Sequence, residues 1–329
     1  MLSALEVIER YKGMVEAELE RYLPRRGEPA EFYESVWELL DRGGKRFRPG
    51  LVFLACESVG GRIEEALGAA AAVELLHNMT LIHDDIEDES KLRRGKPCIH
   101  KMYGVPIAIN AGDAMLIKVF EIANGSSITR DRCHALVTSI ANRAYAITWG
   151  QAFEFNLWKR TKFTEDDVIR LLRCKTGALT GLATEAGAIA GGGLSNYVKV
   201  LSEFGETIGI AFQIVDDILN VVGKEKEYGK EIGGDIREGK KTILAAHLLN
   251  VANSDDKNRF LRILGKTSIK RSEIKRIIQL YHYYGCVEYA KSRADFYLQK
   301  ATESLSALPR SEARNNLELV AKFLVSRNF

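Results

Sequence analysis

The sequence predicts an all-α protein. Only six prolines occur in 329 residues, and none falls between Pro106 and Pro309. That stretch is also rich in Ala, Leu, Glu and Lys, which favour helix interiors, whereas proline breaks them. With 46% hydrophobic and 28% charged residues the chain is an ordinary globular protein, and its length permits one large domain or two smaller ones. A net charge of +3, with no long basic run, argues against nucleic acid as a partner. The five cysteines (Cys56, Cys98, Cys133, Cys174, Cys286) are scattered and lack CxxC spacing. They support neither a disulfide framework nor a zinc site, and they fit a reducing cytoplasm. Met1-Leu2-Ser3-Ala4-Leu5-Glu6 meets charge too early for a signal peptide. The longest apolar stretch, residues 66–76, contains Glu74 and is too short for a transmembrane segment.

Residues 2–22 read as one amphipathic helix, with Leu5, Ile8, Tyr11, Val15 and Leu19 at helical spacing. Pro24-Arg25-Arg26-Gly27-Glu28-Pro29 breaks it, and a second helix runs to about Leu40. Gly43-Gly44-Lys45-Arg46-Phe47-Arg48-Pro49 then puts three cations in four residues on a glycine loop that opens a helix near Pro49. This is either a solvated turn or an anion site, because a helix N-terminus offers free N–H groups and the positive end of its dipole. Two long helices are expected from Leu51 to Asp88, separated near Gly60-Gly61. The second, from Glu64, is apolar almost all round and therefore central. His77 lies seven residues before Asp84, on nearly the same face. It is either a satisfied rim histidine or part of a site.

That helix ends in Leu81-Ile82-His83-Asp84-Asp85-Ile86-Glu87-Asp88-Glu89, with five acids in six positions, followed by Leu92-Arg93-Arg94-Gly95-Lys96. Asp84 and Asp88 share a face, and Asp85 is turned roughly 100° away. Carboxylates crowded in this way repel unless something positive sits among them. Mg2+ is the natural candidate, since it takes one or two carboxylates, waters and phosphate oxygens. Further along, Ala211-Phe212-Gln213-Ile214-Val215-Asp216-Asp217-Ile218-Leu219-Asn220 again ends an apolar segment in paired aspartates. Either cluster alone reads as a solvated helix end. Together they suggest a cavity with carboxylates on two walls.

Between the clusters, Asn110 is expected to cap a helix, and helices continue through Trp149-Gly150-Gln151 to Trp158. Thr164 caps the next one, with acids in its first turn. That helix carries Cys174-Lys175-Thr176-Gly177, where Lys175 is a cation on an apolar stretch and calls for an anion. Small residues from Gly181 to Gly193 allow close packing. Phe204, Ile208, Ala211, Val215 and Leu219 form the buried stripe of the second aspartate helix. The loop from Tyr228 to Thr242 is punctuated by glycine and lysine, and reads as a lid over an anion or as a solvated loop. The helices from Ser272 onward read as packing elements.

Taken together, these residues resemble the trans-polyprenyl diphosphate synthases, and most closely the geranylgeranyl diphosphate synthases. The resemblance covers almost the whole chain. It rests on Gly44-Lys45-Arg46-Phe47-Arg48-Pro49, the Asp84-Asp85-Ile86-Glu87-Asp88 motif, Leu92-Arg93-Arg94-Gly95, Gly150-Gln151, Lys175-Thr176, Phe212-Gln213 before Asp216-Asp217, and Gly229-Lys230 through Asp235 to Lys240. It implies an isoprenoid-synthase-type helical bundle, one domain over residues 1–329, usually dimeric, with the active site in a deep central cavity. The implied reaction joins isopentenyl diphosphate head-to-tail to an allylic diphosphate (dimethylallyl, geranyl or farnesyl) and releases pyrophosphate. By this resemblance Asp84, Asp88 and Asp216 hold three Mg2+ ions, supported by Asp85, Asp217 and Asp235. Arg93, Lys175, Thr176, Gln213, Lys230 and Lys240 take the allylic diphosphate. Lys45, Arg48, His77 and Arg94 take isopentenyl diphosphate. Asp84, Asp88, Lys175 and Asp216 are the implied catalytic set.

Two positions depart from the family pattern. Asn220 stands where many members have aspartate, although some geranylgeranyl-forming members share it, and Glu154 stands where aspartate is common. Product length is expected to depend on Met79 and Thr80, since members that stop at fifteen carbons commonly carry aromatic rings there. A Met and a small Thr imply a longer product, with twenty carbons expected and Leu75 or Leu76 as the floor. A terpene cyclase would normally lack the second Asp-Asp motif and the isopentenyl-binding cations. A head-to-head synthase would carry different acidic motifs, and a non-catalytic partner subunit usually loses one aspartate motif.

Overall fold

The computed structural model describes residues 3–223, 232–266 and 268–326. Among them every regular element is a helix except one short hairpin, Leu92–Arg93 paired with Lys96–Pro97. The chain forms two units. The first comprises Met1–Ala144, Gly181–Glu203 and Leu305–Val320, and the second Tyr145–Thr180, Phe204–Ser304 and Ala321–Phe329.

The first unit is built around the helix Ile63–Glu87. Ala66, Ala70, Val73, Leu75 and Leu76 point in all directions from it, and all are fully buried. This is the expected consequence of an apolar surface on every side. The helices Lys12–Tyr22, Phe47–Ser58 and Val105–Asn124 pack against it. The approach of the last is close: a side chain at Gly112 would collide with the His83 ring.

Two helix boundaries differ from the sequence expectation. Residues 2–22 are not one helix but two, Ala4–Glu9 and Lys12–Tyr22. The chain turns at Tyr11, whose ring stacks on Phe53 with centroids 4.7 Å apart and whose hydroxyl donates to Glu57 at 2.5 Å. Seating this ring overrides a continuous helical pattern. Ile8, Val15 and Leu19 still face the core, whereas Leu5 is exposed. The helix expected to start at Asn110 begins instead at Val105, after Gly104. Pro106 falls in its first turn, where the missing N–H costs no hydrogen bond.

The second unit packs Leu157, Val168, Ile214, Ile218, Leu244, Phe260, Ile277 and Val287 into one core. The helix Glu165–Leu172 starts as expected. Thr164 accepts from the Asp167 N–H at 3.2 Å, while its own N–H donates to the Asp167 carboxylate at 2.9 Å. The next residues, Arg173–Gly177, form a π-turn before Ala178–Ala190 resumes the α-helix. The turn lies against the second aspartate helix, Ser195–Val222, where a side chain at Gly209 would come within 2.8 Å of the Gly177 backbone. Phe204, Ile208, Ala211 and Val215 of that helix are buried as expected. No described helix is long and apolar enough to cross a membrane.

Candidate active site

The first acidic motif occupies the C-terminal turn of Ile63–Glu87, where the helix dipole presents its negative end. Carboxylates are disfavoured there unless a cation compensates them. For Asp85 the structure supplies one. Its side chain, 2% exposed, accepts two bonds from Arg93 Nε and Nη2 at 3.0 and 2.5 Å. Burial works against the Arg93 charge, but Asp85 outweighs it and raises the Arg93 pKa. Asp84 is half-buried and Asp88 exposed, so these two lie on the open stripe of the helix. The three aspartates of the motif thus divide into one inward, arginine-locked carboxylate and two outward ones.

The loop before Phe47–Ser58 also divides. Gly43, Gly44 and Arg46 all have positive φ (72°, 151° and 48°), and the resulting backbone path sends Arg46 inward and leaves Lys45 exposed. Arg46 forms a buried ion pair with Glu74 of the first aspartate helix and donates to the Leu40 carbonyl at 3.0 Å. Glu74 also accepts from Asn78 at 2.9 Å. Arg48 is half-buried, with Nη1 3.4 Å from His77 Nε2. Arg94 folds back over the same loop and donates to the carbonyls of Leu39, at 3.1 Å, and Gly43. Gly44 lies under this guanidinium, and its φ of 151° is what favours glycine there. Burial pulls Arg48 and Arg94 below the ordinary guanidinium value, Glu74 opposes this, and neighbouring arginines add to it. An electropositive group of this kind is suited to an anion.

His77 is neutral in this setting. Burial first, and then the charges of Arg48, Arg94, Arg93 and Arg46, hold its pKa well below the ordinary histidine value. The sign of the effect on stability follows. Below about pH 6.5 the unfolded chain takes up a proton that folded His77 refuses. Stability is therefore complete above that pH and falls as the pH drops toward the folded pKa. His77→Gln should flatten this acid slope in thermal melts recorded between pH 7 and 5, and an unchanged slope would show that His77 is not its source.

In the second unit, Asp216 is half-buried and Asp217 buried on Ser195–Val222. A hydrogen-bonded chain runs across this surface: Thr176 Oγ1 donates to Gln213 Oε1 at 3.0 Å, and Gln213 Nε2 donates to Asp217 Oδ1 at 3.1 Å. Both Thr176 and Lys175 are carried by the π-turn. Lys175 meets its anion in Glu154, Nζ to Oε2 2.5 Å, so the longer acid at position 154 reaches the lysine directly. Asn220 accepts the Gly233 N–H on its carbonyl at 2.7 Å and the Asp235 N–H on its side-chain oxygen at 3.1 Å. The amide thereby fixes the start of the short helix Gly234–Glu238, which carries Asp235. Lys240 bonds Asp235 at 3.0 Å and Glu238 at 2.8 Å. Burial disfavours its charge, but these acids hold its pKa well above the ordinary lysine value. Burial and the neighbouring acids raise Asp217, and burial raises Asp235 against the pull of Lys240. Lys230, with the rest of the loop from residue 224 to 231, lies outside the described residues.

In the first unit the structure therefore brings Arg48 and Arg94 together with His77, on the helix that also bears Asp84, Asp85 and Asp88, and leaves Lys45 exposed on the adjoining loop. In the second it gathers Lys175, Thr176, Gln213, Asp216, Asp217, Asp235 and Lys240. Sequence reasoning had no role for Arg42, for Arg46 as a buried partner of Glu74, or for Glu154 as the partner of Lys175. Only the apolar surroundings of Lys175 signalled that some anion was required.

Among the described residues no three His, Cys, Asp or Glu side chains form a closed metal site. A hard ion such as Mg2+ needs no such cluster, because it keeps waters and completes its shell with phosphate oxygens. The outward carboxylates of Asp84 and Asp88 at a negative helix end suit such an ion.

Residues 29–281 match the polyprenyl synthetase family. The chain is 36% identical over 329 residues to a short chain isoprenyl diphosphate synthase of Methanothermobacter thermautotrophicus, covering 99% of each. It is 38% identical over 298 residues to a geranylgeranyl diphosphate synthase of Saccharolobus solfataricus, covering 89% of this chain and 90% of that one. The crystal structure of geranylgeranyl pyrophosphate synthetase from Pyrococcus horikoshii matches with a TM-score of 0.93 at 38% identity, over 98% of this chain and 99% of that one. The architecture is the all-α isoprenoid synthase fold. On the family match and the identities alike, the chain belongs to the polyprenyl synthetase family.

Proposed function

We propose that this chain is a Mg2+-dependent prenyltransferase that joins isopentenyl diphosphate head-to-tail to an allylic diphosphate and yields geranylgeranyl diphosphate. The observation that carries the reading is the division of charge in the first unit. Arg93 locks Asp85 inward and leaves Asp84 and Asp88 outward, while Arg48, Arg94 and neutral His77 form a separate cationic group. The first suits a diphosphate bound through metal, and the second a diphosphate bound without it. Family members bind diphosphate through divalent metal.

In this reading Asp84, Asp88 and Asp216 hold the metal, three ions in all, with Asp85, Asp217 and Asp235 supporting them. When bound, the metal neutralises diphosphate charge as the C1–O bond of the allylic substrate breaks. Arg93, Lys175 and Lys240, with Lys230, stabilise the departing pyrophosphate, and preorganised cations of this kind favour the charge-separated transition state. Thr176 and Gln213 lie beside the reacting carbon with their dipoles fixed by their mutual hydrogen bond. Lys45, Arg48, His77 and Arg94 hold isopentenyl diphosphate so that its double bond attacks the allyl cation. The proton lost afterwards goes to pyrophosphate. The chain acts as one functional domain.

The growing chain runs down the first aspartate helix, each isoprene unit adding roughly one helical turn of about 5.4 Å. Thr80 lies one turn below Asp84, and its hydroxyl is already donated to the His77 carbonyl at 2.8 Å, so an apolar chain can pass it. Met79 is nearly buried, and Leu75 and Leu76 are fully buried one turn further down. Met79→Phe should shift the product toward fifteen carbons, as should Thr80→Phe. Chromatographic sizing checks this, and an unchanged product spectrum in both variants would sink the placement.

A homodimer fits the surface. Val105, Ile109 and Ile117 lie at multiples of four on Val105–Asn124, with exposures of 44%, 41% and 68%, and a second copy would cover them. A cytoplasmic location fits the scattered thiols. The direct test incubates purified protein with isopentenyl diphosphate, each allylic starter and Mg2+, then sizes the products. A twenty-carbon diphosphate is expected. A single cyclic hydrocarbon would point to a cyclase, and no condensation with any starter to a partner subunit.

A further inference from the structure

Arg93 and Arg94 are consecutive, yet they turn to different tasks, one onto Asp85 and the other over the Gly43–Gly44 loop. Both sit on the hairpin whose strands are two residues each, paired Leu92 to Pro97 and Arg93 to Lys96. An isolated two-stranded hairpin is marginal at best in water, and this one has the shortest strands that can pair. Its turn is a further cost: Arg94 and Gly95 have φ of 52° and 76°, the type I′ pattern, with a bulky non-glycine residue in the first position. The hairpin cannot hold two guanidinium groups in register unaided.

We propose that Arg42, at the end of the helix Ala30–Asp41, is the positioning residue that holds both. Its Nη1 donates to the Arg93 carbonyl at 2.9 Å and its Nη2 to the Pro97 carbonyl, on the opposite strand, at 2.8 Å. Its Nε is anchored on Glu38 at 3.2 Å. The Arg42 side chain is only 2% exposed, and its bonds to Arg93 and Glu38 are partly buried, while the bond to Pro97 lies nearer solvent. One planar fork thus bridges the two strands and ties them to a helix. A lysine, with a single point charge, cannot span both carbonyls. Arg42 reaches neither reacting carbon. It acts through Arg93 and Arg94, and the inference rests on the roles given to those two above. Its consequence is that the allylic and isopentenyl diphosphate sites share a mechanical support.

The test uses the full-length chain with Arg42→Gln and Arg42→Lys. Two readouts are taken: calorimetric binding of inorganic pyrophosphate with Mg2+, and steady-state KM for isopentenyl and allylic diphosphates alongside kcat. Loss of the fork should weaken pyrophosphate binding and raise both KM values by roughly tenfold or more, and kcat should fall as well, because Arg93 also stabilises the departing pyrophosphate. A residue that only stabilises the fold would lower the melting temperature and leave both KM values where they were. That result, or a rise in one KM alone, overturns the proposal. If the wild type forms no condensation product, the functional reading fails while the pyrophosphate affinities of variant and wild type still decide the role of Arg42. Should Arg42→Gln not fold, Arg42→Lys keeps the charge and one bond and carries the test.

Discussion

Asp84→Asn should lower kcat on the order of 10³-fold while leaving the protein at least as stable as the wild type. The two effects have opposite signs for a physical reason. Asp84 sits in the last turn of Ile63–Glu87 beside Asp85 and Asp88, where like charges and the negative end of the dipole both disfavour it. Removing a carboxylate from such a place stabilises by about 0.3–1 kcal/mol. Product formation under saturating substrate and a thermal melt of the same preparation check the pair of outcomes. If kcat stays within about tenfold of wild type, Asp84 is an ordinary helix end and the metal assignment falls.

Lys175→Met should lower kcat by roughly 10²- to 10³-fold and also destabilise, because it leaves Glu154 buried without its 2.5 Å partner. Breaking a fully buried pair costs about 3–5 kcal/mol. Here Lys175 is 28% exposed, so a cost on the order of 2 kcal/mol is expected. The double variant Lys175→Met/Glu154→Gln separates the roles, as it should recover most of the stability and none of the activity. Activity returning with stability would show that the lysine serves the fold alone.

Much of this was legible in the sequence, and the parts that were not share a cause. Helical periodicity told which face of a helix a residue occupies, so the all-round apolar helix before Asp84, the cap at Thr164 and the shared face of Asp84 and Asp88 could be read directly. It could not tell which residue of another helix would meet that face. Tyr11 breaks a continuous helical pattern because Phe53 and Glu57 lie where its ring and hydroxyl can use them. The π-turn at Arg173–Gly177 has no local signature, and it accompanies the close approach of Gly177 to Gly209. Around Phe47, the three cations Lys45, Arg46 and Arg48 looked alike. Only the left-handed backbone at Arg46 separates the one that turns inward from Lys45 and Arg48. For Arg42 only the i,i+4 pairing with Glu38 could be read from the sequence, since its partners on the hairpin are backbone carbonyls, which any sequence supplies.

The buried bond between Arg46 and Glu74 has a consequence for redesign. Glu74 immediately precedes Leu75 and Leu76, the floor proposed for the product, and through Arg46 it also anchors the loop that carries Lys45 and leads into the helix bearing Arg48. Chain-length selection and capture of the five-carbon building block are therefore linked along one stretch of helix. Enlarging the floor for longer prenyl chains will disturb the support of the loop that captures the extender. Catalysts tailored in this way should trade reach for extender affinity unless the Arg46–Glu74 contact is rebuilt with them.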